Sequence, residues 1–155
     1  MKILVTGCAG FIGFHFCKKL IEKKNLVIGI DNISNYYDQN LKLSRLKILK
    51  KNRKNFIYHK LDLFNKKKLF KKLKKYKIDA VVNLAAQAGV RYSLKYPDEY
   101  IKTNVVGFYN LLEFIKYKKI NKLLFASSSS VYGDTKEKFF REKNKSLRYW
   151  LRSRY

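Results

Sequence analysis

The chain has 155 residues, 46% of them hydrophobic, which suffices for one domain with a real core and excludes a disordered or low-complexity segment. Its formal net charge of +25 raises the question of nucleic acid, yet 29 of the 36 basic residues are lysine and only 7 are arginine, whereas base-reading and phosphate-clamping surfaces favour the planar guanidinium. No stretch is long and apolar enough to span a bilayer, and the glycines and threonine that interrupt Met1 to Phe16 argue against a signal peptide.

In chain order, "KILVT" (Lys2 to Thr6) predicts a first strand, a glycine loop follows, and Phe11 to Lys24 reads as a helix whose basic end suits the negative end of its dipole. "NLVIGI" (Asn25 to Ile30) is the second strand, Leu41 to Lys51 a basic amphipathic helix, and Phe56 to His59 the third strand. In Asn65 to Lys77 the residues Leu69, Phe70, Leu73 and Tyr76 share one helical face, which leaves the lysines on the solvated side. Lys, Asn, Ile, Tyr and Phe, all with A- and T-rich codons, are over-used together, so the charge reads as composition and wet helix faces, with no specific nucleic-acid partner. "DAVVNLAA" predicts the fourth strand. Pro97, followed by Asp98 and Glu99, opens a long helix that runs to about Lys118, and "NKLLFASS" gives the fifth strand.

Alternating strands and helices with near-continuous apolar strands predict an α/β, Rossmann-like, doubly wound parallel sheet of about five strands in the order 3-2-1-4-5. Cys8 and Cys17 have neither metal-ligand spacing nor a disulfide framework and fit a reduced, cytoplasmic protein without a metal; His15 and His59 are isolated and receive no role.

Gly7, Gly10 and Gly13 form G-x-x-G-x-x-G between the first strand and first helix. Glycine serves there as a tight turn, as close backbone approach to a pyrophosphate, and as close packing of helix on strand, with phosphates held at the helix N-terminus. Asp31 ends the second strand eighteen positions after Gly13, where an acid can accept hydrogen bonds from the adenosine ribose; its plain alternative is a polar cap on the turn. A carboxylate there repels a 2′-phosphate and favours NAD over NADP.

"VTGCAGFIG" resembles the cofactor loop of the extended short-chain dehydrogenase/reductase family, and "DNISNYYDQNLKLSRL", "NLAAQAGVRYSLKYPDEYIKTNVVGFYNLLE" and "SSSSVYGD" look like its UDP-glucuronate 4-epimerase branch, over Met1 to about Glu142. The resemblance implies that Gly7, Gly10, Phe11, Ile12 and Gly13 line the pyrophosphate, Asp31 and Asn32 the adenosine ribose, and Asp62 and Leu63 the adenine. Leu84, Ala85, Ala86 and Gln87 would pass under the nicotinamide half, with Asn104 supporting it from the long helix. Asp62 has a plain alternative as a turn residue, Asn104 as a helix polar group bonded to backbone, and Arg91 stands between an acidic-sugar contact and a structural ion pair.

The same resemblance implies that hydride leaves C4 of a UDP-sugar for NAD and returns to its other face. It calls for a Tyr base, a Lys that lowers that Tyr's pKa from about 10, and a Ser or Thr on the reacting oxygen. Ser128 matches the last of these, against the alternative of a serine-rich strand end that satisfies loose backbone groups. Tyr-x-x-x-Lys is absent from its expected place: Tyr149 is followed by Ser153, and Tyr155 is the last residue. Tyr132 and Lys136 have the spacing, but Tyr132 lies too near Ser128 along the chain to face it from a separate helix.

Four of the seven arginines fall in the last fifteen residues, so residues 1–142 read as an incomplete NAD-binding Rossmann domain that lacks the sixth strand and substrate lobe. Residues 143–155 read as an atypical tail in which a shifted or truncated reading frame would explain the missing pair. The expectation is the NAD-binding part of a nucleotide-sugar epimerase, inactive as written and a homodimer when complete. Another sugar-nucleotide epimerase or dehydratase, or a non-catalytic NAD-binding module, stands as the alternative.

Overall fold

The computed structural model describes residues 1–132 together with Phe139 and Arg141, in two compact units, Met1–Phe125 and Ala126–Tyr155. In the first, five parallel strands lie in the order β3-β2-β1-β4-β5, as the sequence pattern predicts. They are β1 (Lys2–Thr6), β2 (Leu26–Asp31), β3 (Phe56–Lys60), β4 (Ala80–Asn83) and β5 (Leu123–Phe125).

Period-two alternation decides the layers. Ile3, Val5, Val27 and Val82 turn to one face, where they pack with Phe14, Cys17 and Ile21 of α1 (Phe11–Glu22) and Leu46 and Leu49 of α2 (Gln39–Lys50). Leu4, Ile28, Ile30 and Val81 turn to the other, against Leu69 and Leu73 of α3 (Lys66–Leu73) and Leu111, Phe114 and Ile115 of the last helix. The lysines of α3 are exposed, in keeping with a solvated face.

Several boundaries differ from the sequence expectation. Helix α2 begins at Gln39 because the Asp38 carboxylate accepts from the Asn40 N–H at 2.8 Å and caps it. Helix α3 starts after its Asn65 cap and ends at Leu73; Tyr76 lies beyond it, with its hydroxyl 2.9 Å from His59 Nε2. Strand β4 stops at Asn83, short of Ala86, because the next two N–H groups turn to the Thr6 hydroxyl. Strand β5 stops at Phe125, with Leu124 and Phe125 exposed.

The long helix expected from Pro97 is broken into α5 (Pro97–Tyr100), a π-helical segment (Ile101–Gly107) and α6 (Phe108–Tyr117), and a short α4 (Val90–Lys95) precedes it. The wider turns carry Asn104, whose side chain bonds the Gln87 backbone, and Gly107, where a Cβ would come 3.0 Å from Leu63 Cβ. In the second unit the described backbone forms a 3-10 turn, Ser129–Tyr132. Among the described residues no helix is long and apolar enough to cross a membrane.

Candidate dinucleotide cleft

A cleft opens in the first unit where the chain leaves the C-terminal ends of β1, β2 and β4, the side on which open parallel sheets take their ligands, and beside the point where the strand order reverses between β1 and β4. Gly7, first residue after β1, has φ +69°, and a Cβ there would sit 2.8 Å from Ala85 N and Leu84 C, so the loop turns left-handed and lies backbone to backbone on the segment after β4. Gly10 precedes α1 with extended backbone and no side-chain cap, and a Cβ there meets only Gly7 O, at 3.1 Å. Gly13 packs α1 down on the loop: its Cβ would fall 2.0 Å from Gly7 O. Gly7 and Gly10 line the cleft; Gly13 sits behind it, and Phe11 and Ile12, at 67% and 65% exposure, project from the first turn of α1. Among the described residues no side chain caps the first turn of α1, in the place where a phosphate would be held.

At the end of β2, Asp31 lines the cleft with its carboxylate nearly buried. One oxygen accepts from Ala9 N at 3.0 Å and the other from Ile33 N at 2.9 Å, which ties the glycine loop to the turn. Each oxygen keeps lone-pair capacity, so capping the turn and accepting from a ribose are compatible. Asn32, beside it, donates to Asp62 Oδ2 at 2.9 Å and accepts from Ser34 N; the other Asp62 oxygen accepts from Phe64 N. Asp62 and Leu63 line the cleft from the segment after β3.

The third wall is Leu84, Ala85, Ala86 and Gln87. Thr6, fully buried at the end of β1, fastens this wall: its hydroxyl donates to Asn83 Oδ1 at 2.6 Å and accepts from Leu84 N and Ala85 N at 3.1 and 3.0 Å. Asn104 brackets the Gln87 peptide from the π-helical segment, accepting from its N–H at 2.8 Å and donating to its carbonyl at 2.9 Å. Gln87 Nε2 is buried without a well-formed hydrogen bond among the described residues, its side chain lying beside the Tyr100 hydroxyl. A donor so poorly satisfied in the wall of a cleft is the kind of group a ligand satisfies.

The cleft also contains Ser34, Tyr36, Tyr37, Lys42 and Thr103, none of them singled out by the sequence. The "NYYD" loop was legible only as part of a family resemblance, and one lysine among 29 carries no signal. Arg45 holds the loop in place, donating to Tyr37 Oη at 3.1 Å and Ala9 O at 3.3 Å. Burial raises the Tyr37 hydroxyl above its usual pKa, against the lowering effect of Arg45. Arg91 lies outside the cleft, in a neighbouring open concavity with Tyr36, Tyr37 and Tyr92. Both cysteines are buried free thiols, and burial pushes Cys17 up to about 12 and Cys8 well above the ordinary thiol value, so neither is poised to react.

Ser128 belongs to the second unit. Its Oγ donates to Ser130 Oγ at 3.1 Å and accepts from Ser130 N at 3.2 Å, the pattern of a serine that satisfies a local turn. Tyr132 ends that turn. Lys136, Tyr149, Ser153 and Tyr155 lie outside the described residues.

Comparison with known proteins agrees with this architecture. The chain is 51% identical over 140 residues to protein CapI of Staphylococcus aureus, covering 90% of this chain and 41% of that protein. It is 44% identical over 129 residues to UDP-glucuronate 4-epimerase of Thermodesulfobacterium geofontis, covering 83% and 40% respectively, so it spans about two fifths of the length of these curated relatives. Among solved structures, a UDP-glucuronic acid 4-epimerase variant from Bacillus cereus in complex with UDP-4-deoxy-4-fluoro-glucuronic acid and NAD superposes with a TM-score of 0.81 at 37% identity, over 94% of this chain and 46% of that one. Residues 4–149 match the family described as GDP-mannose 4,6 dehydratase, and the chain belongs to that family.

Proposed function

We propose that this chain binds NAD in the cleft and supplies the cofactor-binding part of a cytoplasmic nucleotide-sugar epimerase that inverts C4 of UDP-glucuronate. The observation that carries the reading is the Asp31 carboxylate at the end of β2, facing the same cleft as the Gly7 and Gly10 backbone and Gln87, whose Nε2 is buried without a well-formed hydrogen bond among the described residues. In this reading Gly7, Gly10 and the start of α1 take the pyrophosphate, Asp31 and Asn32 the adenosine ribose, Asp62 and Leu63 the adenine edge, and Leu84 to Gln87, braced by Asn104, the nicotinamide half. NAD, when bound, would supply the hydride acceptor and donor; the residues named here position it and shield it from water. The curated UDP-glucuronate 4-epimerase relative and the Bacillus cereus complex support the choice of sugar.

Calorimetry with NAD on wild type and Asp31→Ala tests the cleft. A carboxylate hydrogen-bonded to a ligand contributes about 1.5–3 kcal/mol, so NAD affinity is expected to fall at least about tenfold. Unchanged affinity would remove Asp31 from the site. Because the same substitution strips the Ala9 and Ile33 N–H groups of their acceptor, the melting temperature is expected to fall too.

We also propose that the exposed row Ile101, Val105, Tyr109 and Leu112, on the π-helical segment and α6, packs against a second copy of the chain. Light scattering on the purified protein should give twice the monomer mass; a monomer at every concentration would refute this.

A further inference from the structure

Strand β3 is an edge of the sheet and pairs with β2 on one side only. Asn55 O accepts from Val27 N, and Leu61 N donates to Asp31 O, so the odd-numbered residues of this stretch bond inward. By the alternation of a strand, Phe56, Tyr58 and Lys60 turn their N–H and C=O groups away from the sheet, and no other described strand pairs with them. An open concavity lies beside this edge, between β3 and α2. Leu43 and the Tyr58 ring give it an apolar floor. Around that floor stand Lys47, Lys50, Lys51, Arg53 and Lys60, all exposed, with Lys50 Nζ 4.9 Å from the centre of the Tyr58 ring. No carboxylate lines the concavity, and among the described residues none of the five cations forms an ion pair. The sequence holds no Asp or Glu from Gln39 to Leu61, and again none from Leu63 to Ile78. On the opposite face of β3, His59 meets the Tyr76 hydroxyl just beyond α3, where burial first, then the charges of Lys75 and Lys72, lower its pKa. Both faces of this edge are therefore cationic.

Lysines beside an unpaired edge keep like-charged strands from adding to it, and a second copy of this chain carries the same cations. On an acidic strand they act in the opposite sense. An extended segment laid along β3 would take main-chain hydrogen bonds from the outward groups, and its side chains would alternate as those of β3 do, one set over the α2 concavity and the other toward Lys72 and Lys75. A nucleic acid fits this surface less well: it would leave the strand edge unused, and only one of the five cations around the concavity is an arginine, the side chain suited to clamping phosphate. We propose that the β3 edge and the adjoining face of α2 form a docking site for an extended, acidic segment of a partner protein, which adds to the sheet alongside β3. The site lies apart from the cleft and does not depend on the NAD reading.

The probe is a fluorescein-labelled heptapeptide of alternating glutamate and valine, titrated by fluorescence anisotropy into the full chain. Beside it run the same peptide N-methylated at every second residue, which keeps the charge and removes strand hydrogen bonds, and an oligothymidylate of equal charge. Wild type is expected to bind the plain peptide at least about tenfold more tightly than the methylated one and more tightly than the oligonucleotide. Reversing two charges at the site, Lys47→Glu with Lys50→Glu, is expected to weaken the plain peptide about tenfold, whereas Lys116→Glu with Lys122→Glu, on α6 and just before β5 at the other edge of the sheet, makes the same change in net charge and should alter affinity less than about twofold. All four lysines are exposed, so both variants are expected to fold. Equal binding of the methylated peptide would reduce the site to bare charge attraction and overturn the proposal. So would tighter binding of the oligonucleotide, equal losses in the two variants, or a wild type that binds no peptide.

Discussion

Gly13→Ala is expected to deprive the first unit of its fold, and Gly10→Val to leave the fold standing while abolishing NAD binding. Both glycines belong to one motif and lie three residues apart, yet their surroundings differ in kind. At Gly13 the added carbon would lie 2.0 Å from the Gly7 carbonyl oxygen and 2.8 Å from its carbonyl carbon. Both clashing partners are backbone, so no rotamer change relieves them, and Gly7 cannot retreat because it already lies against the Leu84 and Ala85 backbone. Overpacking a core typically costs about 1–3 kcal/mol where side chains can yield; here they cannot, and a loss at or above the top of that range is a large share of the about 5–15 kcal/mol that holds a domain together. At Gly10 the backbone is extended at φ −67° and ψ 171°, which a β-branched residue adopts readily, and the new Cβ meets only one oxygen at 3.1 Å. Its methyl groups then occupy the cleft. Thermal melts followed by circular dichroism, with NAD calorimetry on whatever folds, separate the two. A Gly13→Ala protein that melts with wild type would show that the loop is not packed as described, and a Gly10→Val protein that binds NAD normally would show that the loop is not the cradle.

The parts of this structure that could be read from the sequence are those governed by local periodicity. Runs such as "KILVT" and "NLVIGI" need only alternate to feed both faces of a sheet, and Ile3 and Val5 on one side with Leu4 on the other do so; the strand order then follows from right-handed crossovers. Asp31 and the glycines were legible because their spacing reflects a turn at the end of a strand. What escaped depends on contacts between distant segments. The helix expected from Pro97 to Lys118 has an unbroken apolar pattern, and only the Asn104 bonds to Gln87, 17 positions away, and the fit of Gly107 on Leu63 go with its π-helical stretch. Helix α4, "VRYSLK", buries nothing, so it had no stripe to betray it. Thr6 and Lys42 are polar residues at core positions, and their partners, Leu84, Ala85 and Ser34, are set by the fold and not by the spacing of neighbours. Asp31 carried two readings, ribose acceptor and turn cap; its bonds to Ala9 and Ile33 establish the second and leave room for the first.

Incubated with NAD and UDP-glucuronate, these 155 residues are expected to yield no epimeric product even where NAD binds. Removing hydride from C4 is feasible only if the hydroxyl proton leaves with it, and a positioned general base supplies about 10²–10⁴ of rate. Ser128 does not meet that need: a serine hydroxyl is a poor base at neutral pH without an activating partner, and its Oγ is engaged with Ser130. The cleft offers Tyr36 and Tyr37, but burial raises the Tyr37 pKa above its usual value, the wrong direction for a base near neutrality. Lys42 lies 4.4 Å from the Tyr37 ring and gives its bonds to Ser34, so it does not activate that hydroxyl. One Tyr-x-x-x-Lys spacing exists in the sequence, Tyr132 to Lys136, and Tyr132 ends the same four-residue turn that Ser128 caps, so the two cannot approach a common oxygen from separate elements. Separation of the sugar nucleotides after prolonged incubation measures the outcome. Turnover that survives Tyr132→Phe would place the base elsewhere in these residues, and turnover abolished by that substitution would make Tyr132 the base and overturn the argument from its position.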